Sequence, residues 1–358
     1  MTLNESSTMG KSIVGVDIAA SSIRAVEVGD ADRDRPVVLR VAEVPTPEGA
    51  VSRGEVLEPN TVGAALRQLW STGRFRSRDV VLGMGNQRVL SRDLTVPHAP
   101  LAQIRESLPF QVQDMLPVPV GDAILDFYPV SEGVDETGPV IRGLLVAAIK
   151  DAVLANVRAV RLAGLNPVGV DLIPFALTRV LSPTQAQHGT IAIIQVGADT
   201  TSVVLATDGV PQFVRIIPSG GDDITRSLAG RLDIPFAQAE AVKRHFGIGP
   251  GARTPDDARA VAAVFDTVNE LVTSLRNTIN YYVNTHPDDV VAGIALVGGS
   301  ARLIGLREAL ADATHLPVTT PSAFRHAGFG RAVREEDVLA HGDSVAVAYG
   351  LAVGSQAA

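Results

Sequence analysis

The chain has 358 residues, 46% of them hydrophobic but only 4% aromatic, so it is long enough for two or three domains whose cores must be aliphatic. With 31 Lys plus Arg against 39 Asp plus Glu, its formal charge of -8 argues against broad nucleic-acid binding and leaves room only for a local basic patch. The absence of cysteine excludes disulfides and thiolate metal sites.

The first ten residues, MTLNESSTMG, are polar and lack the basic start and apolar core of a signal peptide. No apolar run approaches the roughly 20 residues that span a bilayer, and the closing GSQAA is no membrane anchor. Membrane association is therefore expected only through a partner or a surface patch.

SIVGVDI at 12–18 and the run that follows predict strands over Ile13–Ile18, Ile23–Val28 and Val37–Val44. A helix is expected over Asn60–Trp70, with Val62, Leu66 and Leu69 on one face. DVVLGM at 79–84 is a buried-strand candidate, with Gly83 and Gly85 marking tight turns or close approaches. The character changes near Arg88. Leu90, Leu94 and Val96 predict a strand, and Gln103–Gln113 a helix that Pro109 limits or kinks. Pro117 and Pro119 enforce an extended stretch. ILDFYPV and VIRGLLVAAI predict two strands flanking a polar turn over Ser131–Gly138. Residues from Arg92 to about Ala152 are expected to form a small inserted subdomain.

Asp151–Leu162 predicts a helix stopped near Gly164, NPVGVDLIP a strand, and Phe175–Val180 a further helix. After His188 and Gly189, TIAIIQVGADTTSVVLATDG repeats the opening: an apolar strand, a polar turn, a second apolar strand. Such internal repetition predicts two lobes of common topology. Helices are expected over Ile224–Leu232, from Pro235 through Ala239, Val242 and Phe246, and over Ala258–Tyr282, with a Gly/Pro-rich loop at Gly247–Asp257. The long helix places Val261, Val264, Phe265, Val268, Leu271, Val272, Leu275, Ile279 and Tyr282 toward a core. GIALVGGSARLIGLREAL predicts a strand, a glycine turn and a helix, and Asp343–Val353 a final apolar helix.

Several of these turns can carry chemistry. Asp17 ends the first strand and precedes the polar turn Ala19-Ala20-Ser21-Ser22, whose amides can face phosphate oxygens while Asp17 orients water around a magnesium ion. Ser21, Ser22 and Arg24 can also approach phosphate, although the turn alone equally suits an ordinary hairpin and Arg24 a solvent-facing position. The second turn, Gly197-Ala198-Asp199-Thr200-Thr201, offers the same pair of alternatives, and the two together could grip a polyphosphate from opposite lobes. Gly298-Gly299-Ser300-Ala301 can lay bare backbone against an adenine or ribose, with Leu303 near the base. Neither GxxxxGK[ST] nor the dinucleotide GxGxxG pattern is present.

Glu240 and Lys243, three apart on a helix, share a face. They can hydrogen-bond a nucleoside edge or form a plain ion pair. Gly220 and Gly221 permit phosphate contact through backbone amides, and Asp222 or Asp223 equally suits an N-cap. The seven histidines show no metal-ligand spacing: His98, His188, His286 and His341 fall at loops or helix edges, and His245 beside Phe246 suits a helix surface.

The order of motifs resembles the actin and sugar-kinase ATPase superfamily. GVDIAASSIRAVEV is similar to its first phosphate segment and IIQVGADTTSVVL to its second. GGDDITRSLAGRLDIPFAQAEAVK resembles the linking segment, LVGGSARLIGL the adenosine segment, and DSVAVAYGLAV the closing helix. DVVLGMGNQRVLSRDLTVP and IRESLPFQVQDMLPVPVGDAILDFYPV narrow the resemblance to the PilM family of type IV pilus assembly, which shares its inserted subdomain with the cell-division protein FtsA.

This resemblance implies an α/β, actin-like (FtsA/PilM-type) two-lobed ATPase fold. Its first lobe, RNase H-like, would comprise 10–91 and 153–187, with the small inserted α/β subdomain, an SHS2 domain, over 92–152. The second lobe would cover 188–358, its outer part at about 223–289, with a final helix at 343–353 packing back on the first lobe. ATP and Mg2+ are the implied ligands, with Asp17 the metal-water acid. Ser21, Ser22 and Arg24 match the first phosphate turn, Gly197 and Thr200 the second, and Gly220 and Gly221 the linking glycines. Glu240 and Lys243 match the nucleoside-facing pair, and Gly298, Gly299 and Ser300 the adenosine turn. The implied partner is the cytoplasmic N-terminal peptide of PilN, beside other inner-membrane pilus assembly proteins, at the inner face of the cytoplasmic membrane. Self-association stays open, as do the readings of an FtsA-like division protein or a small-molecule kinase of the same superfamily.

Two positions depart from the family pattern. Ala19 stands where glycine usually follows Asp-Ile, and Gln195 where the second segment usually has aspartate. An amide cannot serve as a carboxylate base or an anionic partner of magnesium-bound water. ATP binding with weak or absent hydrolysis is therefore the expected behaviour.

Overall fold

The computed structural model describes residues 12–136, 138–182, 189–249, 253–340 and 342–354. The polar start, His188, His341 and the tail after Gly354 lie outside them.

Ile13, Val14, Val16 and Ile18 make a continuous apolar run, and it forms strand β1 (Ile13–Ile18), buried along its whole length. β2 (Ser22–Gly29) returns antiparallel, with Asp17 registered on Arg24. β3 (Val37–Pro45) pairs antiparallel with β2. A two-residue turn at Arg53 and Gly54, with φ of 51° and 73°, joins the short strands β4 (Val51–Ser52) and β5 (Glu55–Val56). α1 (Pro59–Gly73) starts on its proline and buries Val62, Leu66 and Leu69. β6 (Asp79–Met84) then lies parallel to β1.

The next three strands form a separate antiparallel sheet. β7 (Val89–Pro97), α2 (Leu101–Gln111), β8 (Ala123–Asp135) and β9 (Gly138–Ile149) follow in sequence, with β9 central. Val96, Ile104, Leu108, Phe127 and Leu145 form a core of their own. Pro109 does not break α2; it falls in the last turn, two residues before the helix ends. Ser131–Gly138 was expected as a polar turn, but Ser131 to Asp135 continue to pair with Arg142 to Gly138. A register shift between Pro129 and Ser131 absorbs the proline and lets pairing resume.

α3 (Lys150–Leu162) and β10 (Asn166–Leu172) return to the first sheet, β10 pairing parallel with β6, and α4 (Ile173–Leu181) follows, two residues ahead of its expected start at Phe175. β11 (Thr190–Val196) and β12 (Thr201–Thr207) then repeat the opening hairpin, with Gln195 registered on Ser202. β13 (Val210–Ile217), which no sequence expectation covered, pairs antiparallel with β12. α5 (Gly221–Leu232), α6 (Phe236–Phe246) and α7 (Pro255–Thr285) pack together on this half. α7 begins three residues earlier than expected, because Thr254 accepts from the Asp257 amide and the Asp257 carboxylate accepts from Thr254 in return. It buries Ala260, Val264, Val268, Leu271, Leu275, Ile279 and Tyr282, spaced by steps of four and three; Phe265, expected inward, lies outside that stripe and is exposed.

β14 (Val291–Val297) runs parallel to β11, a 3₁₀ turn at Gly299–Arg302 leads to α8 (Leu306–Thr314), and β15 (Val318–Thr319) joins β14. The second sheet thus has the order β13-β12-β11-β14-β15. The first has β10-β6-β1-β2-β3, the same arrangement, extended by β16 (Gly328–Phe329) on β3. After α9 (Glu335–Ala340), the apolar α10 (Gly342–Ala352) packs on β1 and α4. Its approach is close: a Cβ on Gly15 would lie 1.9 Å from the Ala348 carbonyl oxygen, and one on Gly350 would lie 2.3 Å from that of Ala176.

Candidate nucleotide site

The two repeated hairpins point their turns into one cavity of about 660 Å³. The first hairpin contributes Asp17, Ser21, Ser22 and Arg24 to its wall, the second Gln195, Gly197 and Thr200. Gly221 enters from the start of α5, Glu240 and Lys243 from α6, and Gly298, Gly299 and Ser300 from the turn after β14. Gly220 does not line it. A Cβ there would lie 2.6 Å from the Ala198 carbonyl oxygen, so Gly220 serves the close packing of α5 on the second turn.

In the first turn, the Thr46 hydroxyl donates to the Ala19 carbonyl at 2.7 Å. The buried Asp17 carboxylate accepts from Arg24 at 3.4 Å, and Arg24 also donates to Glu43 at 3.3 Å. Burial raises the Asp17 pKa, with Arg24 partly opposing it. Arg24 therefore faces the cavity in an ion pair. Ser22 is buried at the wall, and its hydroxyl has no protein partner, so a polar ligand atom there would satisfy it.

Hydrogen bonds from its own half of the molecule hold the second turn. The Gly197 amide donates to Thr200 at 2.9 Å, the Gly221 amide to the Gly197 carbonyl at 3.0 Å, and the Asp222 amide to Ala198 at 2.6 Å. The Ser300 hydroxyl donates to the Gly197 carbonyl at 2.9 Å, tying the turn after β14 to the phosphate-type turn. A Cβ on Gly299 would meet nothing within 4 Å, so that position opens on the cavity. Gly298, at φ 100°, is fixed differently: a Cβ would press on the Val196 carbonyl oxygen at 2.4 Å.

Lys243 is buried, and its ammonium donates to Glu240 at 2.6 Å, the Thr225 hydroxyl at 2.9 Å and the Gly221 carbonyl at 3.0 Å. Those three bonds use a lysine's three donors. Burial alone would raise the Glu240 pKa, but Lys243, Thr225 and Arg244 together overcome it and hold the carboxyl at about 2. The pair braces α5 against α6 at the cavity wall.

Sequence reasoning passed over Arg53, the role of Asp199, and the bonding of Asp223. The Arg53 guanidinium donates to both Asp223 oxygens at 2.7 and 2.8 Å and to the Asp199 carbonyl at 2.9 Å, and its amide donates to the Asp199 carboxylate. Burial raises the Asp199 pKa. Neither Asp222 nor Asp223 is the N-cap of α5: that place is taken by Gly220, while Asp223, at the third position of the helix, accepts the Gly220 amide at 2.8 Å and Asp222 lines the cavity. No group of three or more His, Asp or Glu residues among those described is placed to hold a metal ion. The wall does carry Asp17, Asp199 and Asp222, oxygen donors whose chemistry fits a hydrated divalent cation. None of the described histidines lines the cavity; His245 lies edge-on to Phe246 and His286 stacks on Tyr282.

Comparison with known proteins identifies the family. The family model described as type IV pilus assembly protein PilM matches residues 15–356. The chain belongs to the PilM family. A solved structure titled PilM-PilN type IV pilus biogenesis complex superposes with a TM-score of 0.83 and 27% identity, covering 96% of this chain and 98% of that one. MreB 5 of Spiroplasma citri bound to AMPPNP shares the fold, with a TM-score of 0.56 at 10% identity over 97% of this chain and 96% of that one. Cell division protein FtsA of Pseudomonas aeruginosa is 24% identical, over 86% of this chain and 82% of that protein. FtsA of Bacillus subtilis is 25% identical over 65% of this chain, which spans 58% of that relative. The fold is actin-like α/β, and within it the PilM family supplies the assignment to pilus assembly.

Proposed function

We propose that the chain is an ATP-binding scaffold of the type IV pilus assembly complex, with weak or absent hydrolysis. The convergence of both repeated turns and the Gly298–Ser300 turn on one cavity carries this reading. The polyphosphate lies between the turns at Ser21–Ser22 and Gly197–Thr200, and the nucleoside lies toward Gly299, Glu240 and Leu303. A bound Mg2+ would offset phosphate charge, Asp17 being the residue that would hold its water, and Arg24 balances the Asp17 carboxylate. Gln195, at the place of the second acid, can orient a water molecule but cannot take its proton.

In this reading the chain divides into a first lobe (10–91 and 153–187), the inserted unit (92–152) and a second lobe (188–358). The partner is the cytoplasmic N-terminal peptide of a PilN-like membrane protein. A groove of about 290 Å³ lined by Leu90, Leu116, Pro117, Val118 and Ala148 supports that part, since short peptides dock apolar side chains in such grooves. Phe110, 80% exposed on α2, lies outside it. No helix among the described residues is long and apolar enough to cross a membrane, so the proposed place at the cytoplasmic membrane rests on partners. Calorimetry with ATP and magnesium tests the central claim: one site per chain is expected, and no heat from folded protein up to millimolar ATP overturns it.

A further inference from the structure

The hairpin that carries Arg53 belongs to the first sheet's half of the molecule, yet all of that side chain's hydrogen-bond partners lie in the other half. Its Nη1 donates to the Asp199 carbonyl at 2.9 Å, to the Pro218 carbonyl at 2.6 Å and to one Asp223 oxygen at 2.8 Å; Nη2 donates to the other Asp223 oxygen at 2.7 Å. A guanidinium fork on a carboxylate fixes angle as well as distance.

Both ends of this bridge are braced. On the near side, Arg53 occupies the left-handed region at φ 51°, set by the tight turn, and the fully buried Asn86 donates to the Gly54 carbonyl at 3.2 Å. On the far side, the Gly220 amide and Arg226 each hold Asp223 at 2.8 Å, and Asp199 is part of the second phosphate-type turn. The bridge therefore joins two rigid pieces, and the halves cannot part along this edge unless it breaks.

Its charge also suits the neighbouring cavity. Asp199 and Asp222 both line the wall beside the place assigned to polyphosphate. Uncompensated, they would repel it, and Arg53 supplies a cation to that side from outside the cavity.

We propose that Arg53 is a positioning residue of the nucleotide site: it clamps the second phosphate turn to the first half, holds the cleft closed and slows nucleotide release. The nucleotide part of this rests on the ATP-binding reading above; the clamp itself does not. The Arg53 side chain is 32% exposed and its partner Asp223 21%, so salt reaches the pair and weakens it.

The absence of native cysteine allows a direct test. Asn60→Cys on α1 and Gln238→Cys on α6, both exposed, would carry spin labels in the two halves, and dipolar spectroscopy would read the distance between them without nucleotide. Arg53→Asn removes the reach while tolerating the left-handed backbone. Asp223→Asn weakens the same pair from the other side, and Arg53→Lys keeps the charge without the fork. In folded protein, both Asn variants should broaden and lengthen the distance distribution, Arg53→Lys should do so less, and added salt should lengthen it in wild type. Release of a fluorescent ATP analogue should speed by at least about tenfold in Arg53→Asn. An unchanged distribution in folded Arg53→Asn overturns the clamp. A shifted distribution with unchanged release overturns its coupling to nucleotide. Failure of the wild type to bind the analogue refutes the ATP reading, and the distances still decide the clamp.

Discussion

Asp17 and Gln195 are structural counterparts. Each is the penultimate residue of the first strand in its hairpin, Asp17 registered on Arg24 and Gln195 on Ser202, and both face the same cavity. The fold repeats the position while the sequence changes an acid to an amide. A carboxylate can accept a proton from attacking water and an amide cannot, so the asymmetry bears on hydrolysis more than on binding. Phosphate release by wild type should be slow. Gln195→Asp should raise turnover by at least about tenfold, or about 1.4 kcal/mol of barrier. Fast wild-type turnover that Asp17→Ala abolishes would show that another group activates the water.

Gly299 offers a separate test of the nucleoside end. A Cβ there meets no protein atom within 4 Å, so Gly299→Val puts its side chain into the cavity and leaves the surrounding packing alone. Affinity for ATP should fall by about tenfold or more, near 1.4 kcal/mol, with little change in melting temperature. Unchanged affinity would place the nucleoside elsewhere.

Much of this site was legible in the sequence because the fold is a duplication. Two apolar strands around a polar turn occur twice, and each copy could be checked against the other. The same logic, pressed further, yields β13, since β3 demands a counterpart. Pro211, Gln212 and Arg215 hid it by breaking the apolar alternation, and the structure places Pro211 opposite Ala206, where the register shifts. Arg53 was not legible at all. Its partners lie 146 to 170 residues away along the chain, and nothing local marks a lone arginine before a glycine as a bridge. Phe265 was misplaced for a simpler reason: it lies about 100° further round the helix axis than Val264, just past the edge of the buried stripe.

The Glu240–Lys243 pair predicts an acid-sensitive brace. The folded carboxyl titrates at about 2 against an ordinary 4.5, so the unfolded chain binds the extra proton in that interval. The stabilisation is complete above pH 4.5 and is lost as pH falls toward about 2. Because Glu240 is partly solvated, its worth is on the order of 1–2 kcal/mol. Urea unfolding should show wild type losing stability across that interval by about this much more than Glu240→Gln does. Parallel losses in both proteins would mean that the pair contributes nothing to acid sensitivity.

The packing of α10 on β1 depends on a missing side chain. A Cβ on Gly15 would lie 1.9 Å from the Ala348 carbonyl and 2.7 Å from the Ala352 amide, both backbone atoms that cannot rotate away. Gly15→Ala should therefore cost about 3 kcal/mol and lower the melting temperature, whereas Gly121→Ala, with open space around it, should be near neutral. A Gly15→Ala protein as stable as wild type would show that the closing helix is not held this tightly.

The partner groove can be tested one side chain at a time. Val118 lines the groove, is half-buried and stands apart from the apolar core of the inserted sheet, to which Leu116 contributes. Val118→Asp should therefore leave the fold intact while placing a charge where an apolar peptide side chain would dock. Phe110 serves as the contrast: it is large, apolar and highly exposed, but outside the groove. A fluorescent peptide from the cytoplasmic N-terminus of a PilN-like protein, titrated by anisotropy, should lose at least about tenfold in affinity with Val118→Asp, about 1.4 kcal/mol, and little with Phe110→Ala. The reverse pattern would move the partner from the groove to the outer face of α2.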